Sequence, residues 1–219
     1  MRIAIVIFDG FDNLDAIGPF EVFNHARTFG AEVEVGLYTL APQEVVTSSH
    51  GLKVEPDGVL VSKTSENSSQ TEGSPDVLSG VPDLVVVPGG GWGNRAEEGT
   101  WGEAKRGDLP EALTRLHDGG ATVASVCTGG MILAQAGLTD GRPAVTHHDA
   151  LADLRDSGAE VVEARVIDDG DLVTAGGVTS GIDLALHLVE REFGQDIATR
   201  VATEMEYESH GEVYQSEVG

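Results

Sequence analysis

The chain has 219 residues, enough to bury one substantial core in a single α/β domain. Thirty-seven acidic residues face thirteen basic ones, and the formal net charge of −24 repels nucleic acid and anionic lipid. No apolar run approaches the ~20 residues of a spanning helix. The apolar opening Ile3–Phe8 is cut short by Asp9 and Gly10 without a cleavage pattern, so neither membrane insertion nor export is expected.

The acids are spread over the whole chain, and the lysines are only Lys53, Lys63 and Lys105. Self-repulsion on this scale destabilises a compact state unless salt screens it. We therefore expect a halophilic protein from a salt-rich cytoplasm of the haloarchaeal kind. Cys127 is the only cysteine, so no internal disulfide can form, which fits a reducing compartment. Any special chemistry of sulfur must fall on that residue.

Short apolar runs alternate with longer amphipathic stretches. Ile3–Phe8 reads as the first buried strand. The loop after it, FDGFDNLDAIGPFEVF, crowds acids before a helix expected over Pro19–Phe29. Asp12 and Asp15 both suit an N-cap there, and spacing alone favours capping over catalysis for Asp15. Val33–Thr39 follows as a strand. The segment 62–80, SKTSENSSQTEGSPDVLSG, is polar and aperiodic and reads as a mobile surface insertion.

Leu84–Val87 is a strand that runs into Pro88-Gly89-Gly90-Gly91. Glycines there let backbone N–H groups approach a ligand closely, as in an oxyanion hole, though an ordinary turn needs no more. After a helix over Leu109–Asp118, the strand Thr122–Val126 ends at Cys127 and a helix over Thr128–Ala136 begins at once. Ser125 and Gly129 flank the cysteine at the offsets where a strained elbow demands small residues. Such an elbow exposes sulfur at the carboxyl end of the sheet and aims a helix N-terminus at it, which favours the thiolate. A buried inert cysteine is the ordinary alternative; the elbow favours a nucleophile.

Val145–Asp149, VTHHD, reads as a short strand entering a helix over His148–Ser157. Paired histidines beside an acid suggest a metal. Neighbours on a strand point to opposite faces, however, so no metal site is expected from His147 and His148. Leu172–Ala175 is the last strand, followed by helices over Ile182–Phe193, where His187 is structural, and Ile197–Tyr207. The acidic tail after 207 is expected to fray. The alternation implies a mostly parallel, doubly wound sheet with helices on both faces.

Together FDGFDNLDAIGPFEVF, VVVPGGG, ASVCTGG, VTHH and TAGGVTSGIDLAL resemble the ThiJ/PfpI superfamily, whose fold is the flavodoxin-like, glutamine-amidotransferase-like one. The resemblance covers nearly the whole chain as a single domain. It implies that the elbow cysteine pairs with an acid after the first strand, which makes Asp15 functional after all. It also places Gly89, Gly90 and His147 beside the sulfur. Asp15, Gly18 and Pro19 with Cys127, Thr128 and Gly129 look like the isonitrile hydratase branch. Thr128 stands where protease-like members carry histidine, which argues against a Cys-His peptidase.

The chemistry thus implied is a cofactor-free and metal-free hydratase or hydrolase of a small electrophilic molecule. Cys127 is its nucleophile, Asp15 its acid–base, Thr128 a positioning hydroxyl and Gly90 N–H its oxyanion donor. A glutathione-independent glyoxalase or deglycase, and a cysteine redox sensor, share that microenvironment. A fused DNA-binding regulator is not expected, because no such region follows before Gly219. A cytoplasmic homodimer is expected, from the resemblance and from the apolar stretch Ile17–Phe23.

Overall fold

The structure is a computed structural model and describes residues 1–60, 78 and 80–216. Apart from Leu78 and Gly80, the insertion expected over 62–80 lies outside the described residues. In chain order the elements are β1 (Arg2–Val6), α1 (Asn13–Thr28), β2 (Glu34–Thr39), β3 (Val46–Thr47), β4 (Lys53–Val54), β5 (Gly58–Val59) and β6 (Leu84–Val87). Then come α2 (Thr100–Arg106), α3 (Asp108–Asp118), β7 (Thr122–Val126), α4 (Gly129–Gln135) and β8 (Pro143–Ala144). A 3-10 turn at His148–Ala150 leads into α5 (Leu151–Asp156), and β9 (Glu160–Val161), β10 (Val166–Asp168), β11 (Leu172–Ala175), α6 (Ser180–Phe193), α7 (Gln195–Glu204) and β12 (Val213–Gln215) complete the chain.

Eight strands form the main sheet in the order β12-β10-β11-β7-β6-β1-β2-β5. Every pairing in it is parallel except β10 with β11. The central strands carry the apolar runs that both faces must bury: Ala4, Ile5, Leu84–Val87 and Val123–Ala124 have essentially no exposure. Helices α1, α6 and α7 pack together as one layer, and α2, α3, α4 and α5 contact each other as a second. Right-handed crossovers require this. The step from β1 through α1 to β2 runs one way along the sheet, and the step from β6 through α2 and α3 to β7 runs the other. The reversal falls between β1 and β6, and ligands of open α/β sheets bind outside the strand ends at such a point.

Several expectations change. Helix α1 begins at Asn13 and contains Pro19, six residues before the expected start. Asp12 is its N-cap, its Oδ1 accepting from Leu14 N–H at 3.2 Å, so Asp15 lies inside the first turn. Proline lacks an N–H, so the Asp15 carbonyl loses its helical donor. The layer contact explains why Pro19 is kept: a Cβ on Gly181 would lie 3.5 Å from the Pro19 ring, and one on Gly18 3.3 Å from Ile182. The helices α1 and α6 approach that closely there. The tail does not fray at once after 207, because β12 adds a parallel edge strand beside β10. Of the apolar face of α1, Val22 and Phe23 are buried in this chain's own core, and Leu14 is the exposed member at 37%.

Candidate active site

Three loops leave the carboxyl ends of neighbouring strands and meet. The first turn of α1, which follows β1, brings Asp15, the loop after β6 brings Gly89 and Gly90, and the turn after β7 brings Cys127 and Thr128. The expected strained elbow is present: Cys127 has φ +56°, a left-handed conformation that costs a non-glycine residue about 1–3 kcal/mol. The surroundings hold it there. Its N–H donates to the carbonyls of Ala175 (3.1 Å) and Gly176 (2.7 Å), and its carbonyl accepts from Thr146 Oγ1 at 2.8 Å. Gly129 is obligatory, because a Cβ would sit 2.2 Å from the Val87 carbonyl oxygen. The elbow tucks the sulfur under its neighbours rather than exposing it, leaving Cys127 only 6% exposed.

Asp15 is fully buried. Its Oδ2 accepts the Gly89 N–H at 2.8 Å, while Oδ1 has no hydrogen-bond partner among the described residues. A buried, half-satisfied carboxyl group is costly, and such a group is a mark of function rather than stability. Gly89 cannot be otherwise: a Cβ there would lie 2.6 Å from Thr128 N and 2.8 Å from Asp15 Oδ2.

The glycine loop differs from the oxyanion role expected of it. Gly89 N–H is occupied by Asp15. Gly90 N–H donates to Thr128 Oγ1 at 2.9 Å, so it is not free for a developing anion, and the Thr128 hydroxyl is not free for substrate. Thr128 Oγ1 lies 3.2 Å from Thr100 Oγ1, which donates to the Gly90 carbonyl at 2.7 Å. With Thr128 donating to Thr100, a ring of hydrogen bonds closes on Gly90. The donors turned toward the sulfur are instead the backbone N–H groups of Thr128 and Val178.

Burial and charge oppose ionisation here. Desolvation, then the Asp12 carboxylate, push Asp15 up to about 8, against the Gly89 N–H and the Cys127 side chain. Desolvation, then Asp15, push the Cys127 thiol up to about 12, against the Thr128 and Val178 N–H groups. The depressed thiol anticipated from a helix N-terminus is therefore corrected. Helix α4 begins two residues beyond the sulfur, and burial beside a second acid outweighs it. Each shifts the other, so the two groups titrate as one coupled pair.

His147 does flank the elbow, since its neighbour Thr146 bonds the Cys127 carbonyl and its ring packs within 3.2 Å of where a Gly177 Cβ would be. The strand reading of VTHHD does not hold. Only Pro143–Ala144 pairs, and the chain then turns into the 3-10 helix at His148. His187 is structural as expected, its Nε2 2.7 Å from Asp168 Oδ2. Sequence reasoning missed Thr100, Thr146 and Val178. Thr146 stood in view within VTHH, but a hydroxyl that bonds a backbone carbonyl from another strand leaves no local signal.

Comparison with known proteins places the chain in a family. The chain is 35% identical over 211 residues to an isonitrile hydratase of Pseudomonas putida, covering 94% of this chain and 78% of that protein. It is 29% identical over 176 residues to a deglycase of Thermococcus kodakarensis, covering 80% of this chain and 89% of the relative. A ThiJ/PfpI family protein from Pseudomonas syringae superposes with a TM-score of 0.76 at 24% identity, over 95% of this chain and 76% of the other, a likeness of fold alone. The family description DJ-1/PfpI matches residues 1–191, a span that runs from β1 through most of α6 and holds every residue of the elbow site; the chain belongs to the DJ-1/PfpI family.

Proposed function

We propose that this protein is a cysteine-dependent hydratase of a small electrophilic carbon compound, of the isonitrile hydratase kind, with Cys127 as nucleophile and Asp15 as proton donor and acceptor. The observation that carries the reading is the pairing of a strained, buried Cys127 with a fully buried Asp15 whose Oδ1 is left unpartnered. The 35% identity to an isonitrile hydratase supports the substrate class.

In the reactive form the pair has lost one proton and carries one negative charge. With Asp15 pushed up to about 8 and the thiol to about 12, most of that monoanion keeps its proton on sulfur; the reactive minority has the proton on Asp15 and the charge on sulfur, where the Thr128 and Val178 N–H groups stabilise it. The thiolate adds to the terminal carbon of R–N≡C while Asp15 delivers its proton to the same carbon, giving the thioimidate R–N=CH–S–Cys127. Asp15, now a carboxylate, takes a proton from water as the oxygen adds to that carbon. Asp15 gives that proton to the nitrogen and then takes the hydroxyl proton as the C–S bond breaks, releasing R–NH–CHO and restoring the thiolate and the protonated acid. The sum is isonitrile plus water to N-substituted formamide, with no cofactor in any step. A small molecule suits the site because Cys127 is only 6% exposed.

The deciding experiment is turnover of purified protein in molar KCl with an alkyl isonitrile and methylglyoxal side by side. Formamide release from the isonitrile supports the proposal. Consumption of methylglyoxal alone makes the protein a glyoxalase or deglycase, the activity class of the Thermococcus kodakarensis relative. Turnover of neither, with sulfinate forming on Cys127 under peroxide, makes it a redox sensor.

A further inference from the structure

Among the described residues one group of three donors from separate side chains is placed to hold a metal ion. It consists of His147, His148 and Asp149, whose ligand atoms all lie within 4.8 Å of one another. The strand-alternation argument against it fails on the backbone. His147 is extended (φ −54°, ψ 140°), and the 3-10 turn that starts at His148 rotates the next residues onto the same side. The rings of His147 and His148 lie 4.1 Å apart at 36°. Asp149 reaches both: its Oδ1 is 3.0 Å from His148 Nε2 and its Oδ2 3.7 Å from His147 Nδ1.

We propose that this loop binds one late first-row divalent cation, of the class of Zn²⁺, Ni²⁺ or Cu²⁺. Two imidazoles and one carboxylate suit those ions, whereas Mg²⁺ and Ca²⁺ want oxygen. The scaffold is held from both sides. Ala150 N–H bonds the His147 carbonyl at 2.8 Å, Val145 N–H bonds Thr174 Oγ1 at 3.0 Å, and Thr146 bonds the elbow itself. His147 is part-buried while His148 and Asp149 are exposed, so an ion enters from solvent. The contacts an ion would replace are the Asp149 carboxylate on the two rings and the long Asp149 N–H bond to His147 Nδ1 at 3.3 Å. Three ligands leave further positions for water. The inference stands apart from the hydratase reading.

The test is calorimetric titration of tag-free Cys127→Ser protein with ZnCl2 in molar KCl. The serine removes the thiol as a rival ligand, and the salt suppresses diffuse cation binding to a chain of charge −24. One equivalent should bind. His148→Ala and Asp149→Ala should each weaken binding by at least tenfold, since loss of even a supporting group around a metal costs ~10–100-fold. His50→Ala, an exposed histidine elsewhere, should change nothing. No zinc bound, equal affinity in His148→Ala, or loss on His50→Ala would each overturn the proposal. Because the readout is binding, the result is independent of whether the protein turns over isonitriles.

Discussion

Gly89 N–H holds Asp15 Oδ2 at 2.8 Å, so the glycine loop after β6 aims the acid toward Cys127 while leaving its second oxygen unpartnered. In the proposed mechanism the loop thereby serves the proton donor rather than the anion.

That bond, with Asp12 as the cap, makes Asp15→Asn a clean probe. The amide oxygen can still accept from Gly89, and Asp12 still caps α1. Melting temperature at pH 7 should not fall. Isonitrile turnover should drop 10²–10⁴-fold, the usual worth of general acid–base catalysis. The substitution also removes the second-largest cause that holds the thiol up, so iodoacetamide should alkylate Cys127 at lower pH than in the parent. Near-parental turnover in a folded variant would reduce Asp15 to a structural acid.

The pH dependence follows from the same pair. Turnover should rise as pH passes about 8, where the pair loses its first proton, and level off above it. Stability runs the opposite way. Asp15 rises from 3.8 to about 8 on folding, so its contribution is intact below about 3.8 and is lost as pH climbs through about 8. Asp15→Asn should therefore gain on the parent by a few °C in melting temperature between pH 5 and 8. A gap that shrinks with rising pH would contradict the buried-acid assignment.

Two glycines separate folding from function. Gly129→Ala forces a Cβ to 2.2 Å from the Val87 carbonyl, backbone against backbone, and should cost more than ~2 kcal/mol in urea unfolding. Gly89→Ala instead presses on Asp15 Oδ2 and Thr128. It should cost less stability but remove most turnover. Equal effects of the two on both measurements would deny the loop its positioning role.

Charge predicts solution behaviour. At −24 net, melting temperature should rise between dilute buffer and molar KCl, and an unchanged value would refute salt dependence. A homodimer, proposed on the family and on exposed Leu14 in α1, should scatter light at about twice 22.9 kDa in that salt. A monomer mass would end that proposal.

The sequence by itself determined the architecture, because its cause is local. Runs such as Leu84–Val87 and Thr122–Val126 are apolar on both faces and suit only a covered parallel sheet, and small residues around Cys127 suit only an elbow. It did not determine what depends on neighbours distant in the chain. Helix α2 and strands β10 and β12 are too short or too polar to declare themselves, and they form because a partner strand or helix is already in place. The start of α1 was missed because Pro19 ordinarily ends a helix, and packing against Gly181 overrides that preference. Within the site, the residues were legible but their states were not. Whether a helix N-terminus lowers a thiol or burial raises it is a balance of desolvation and charge. Only the folded chain, by enclosing Cys127 with Asp15, decided that burial wins.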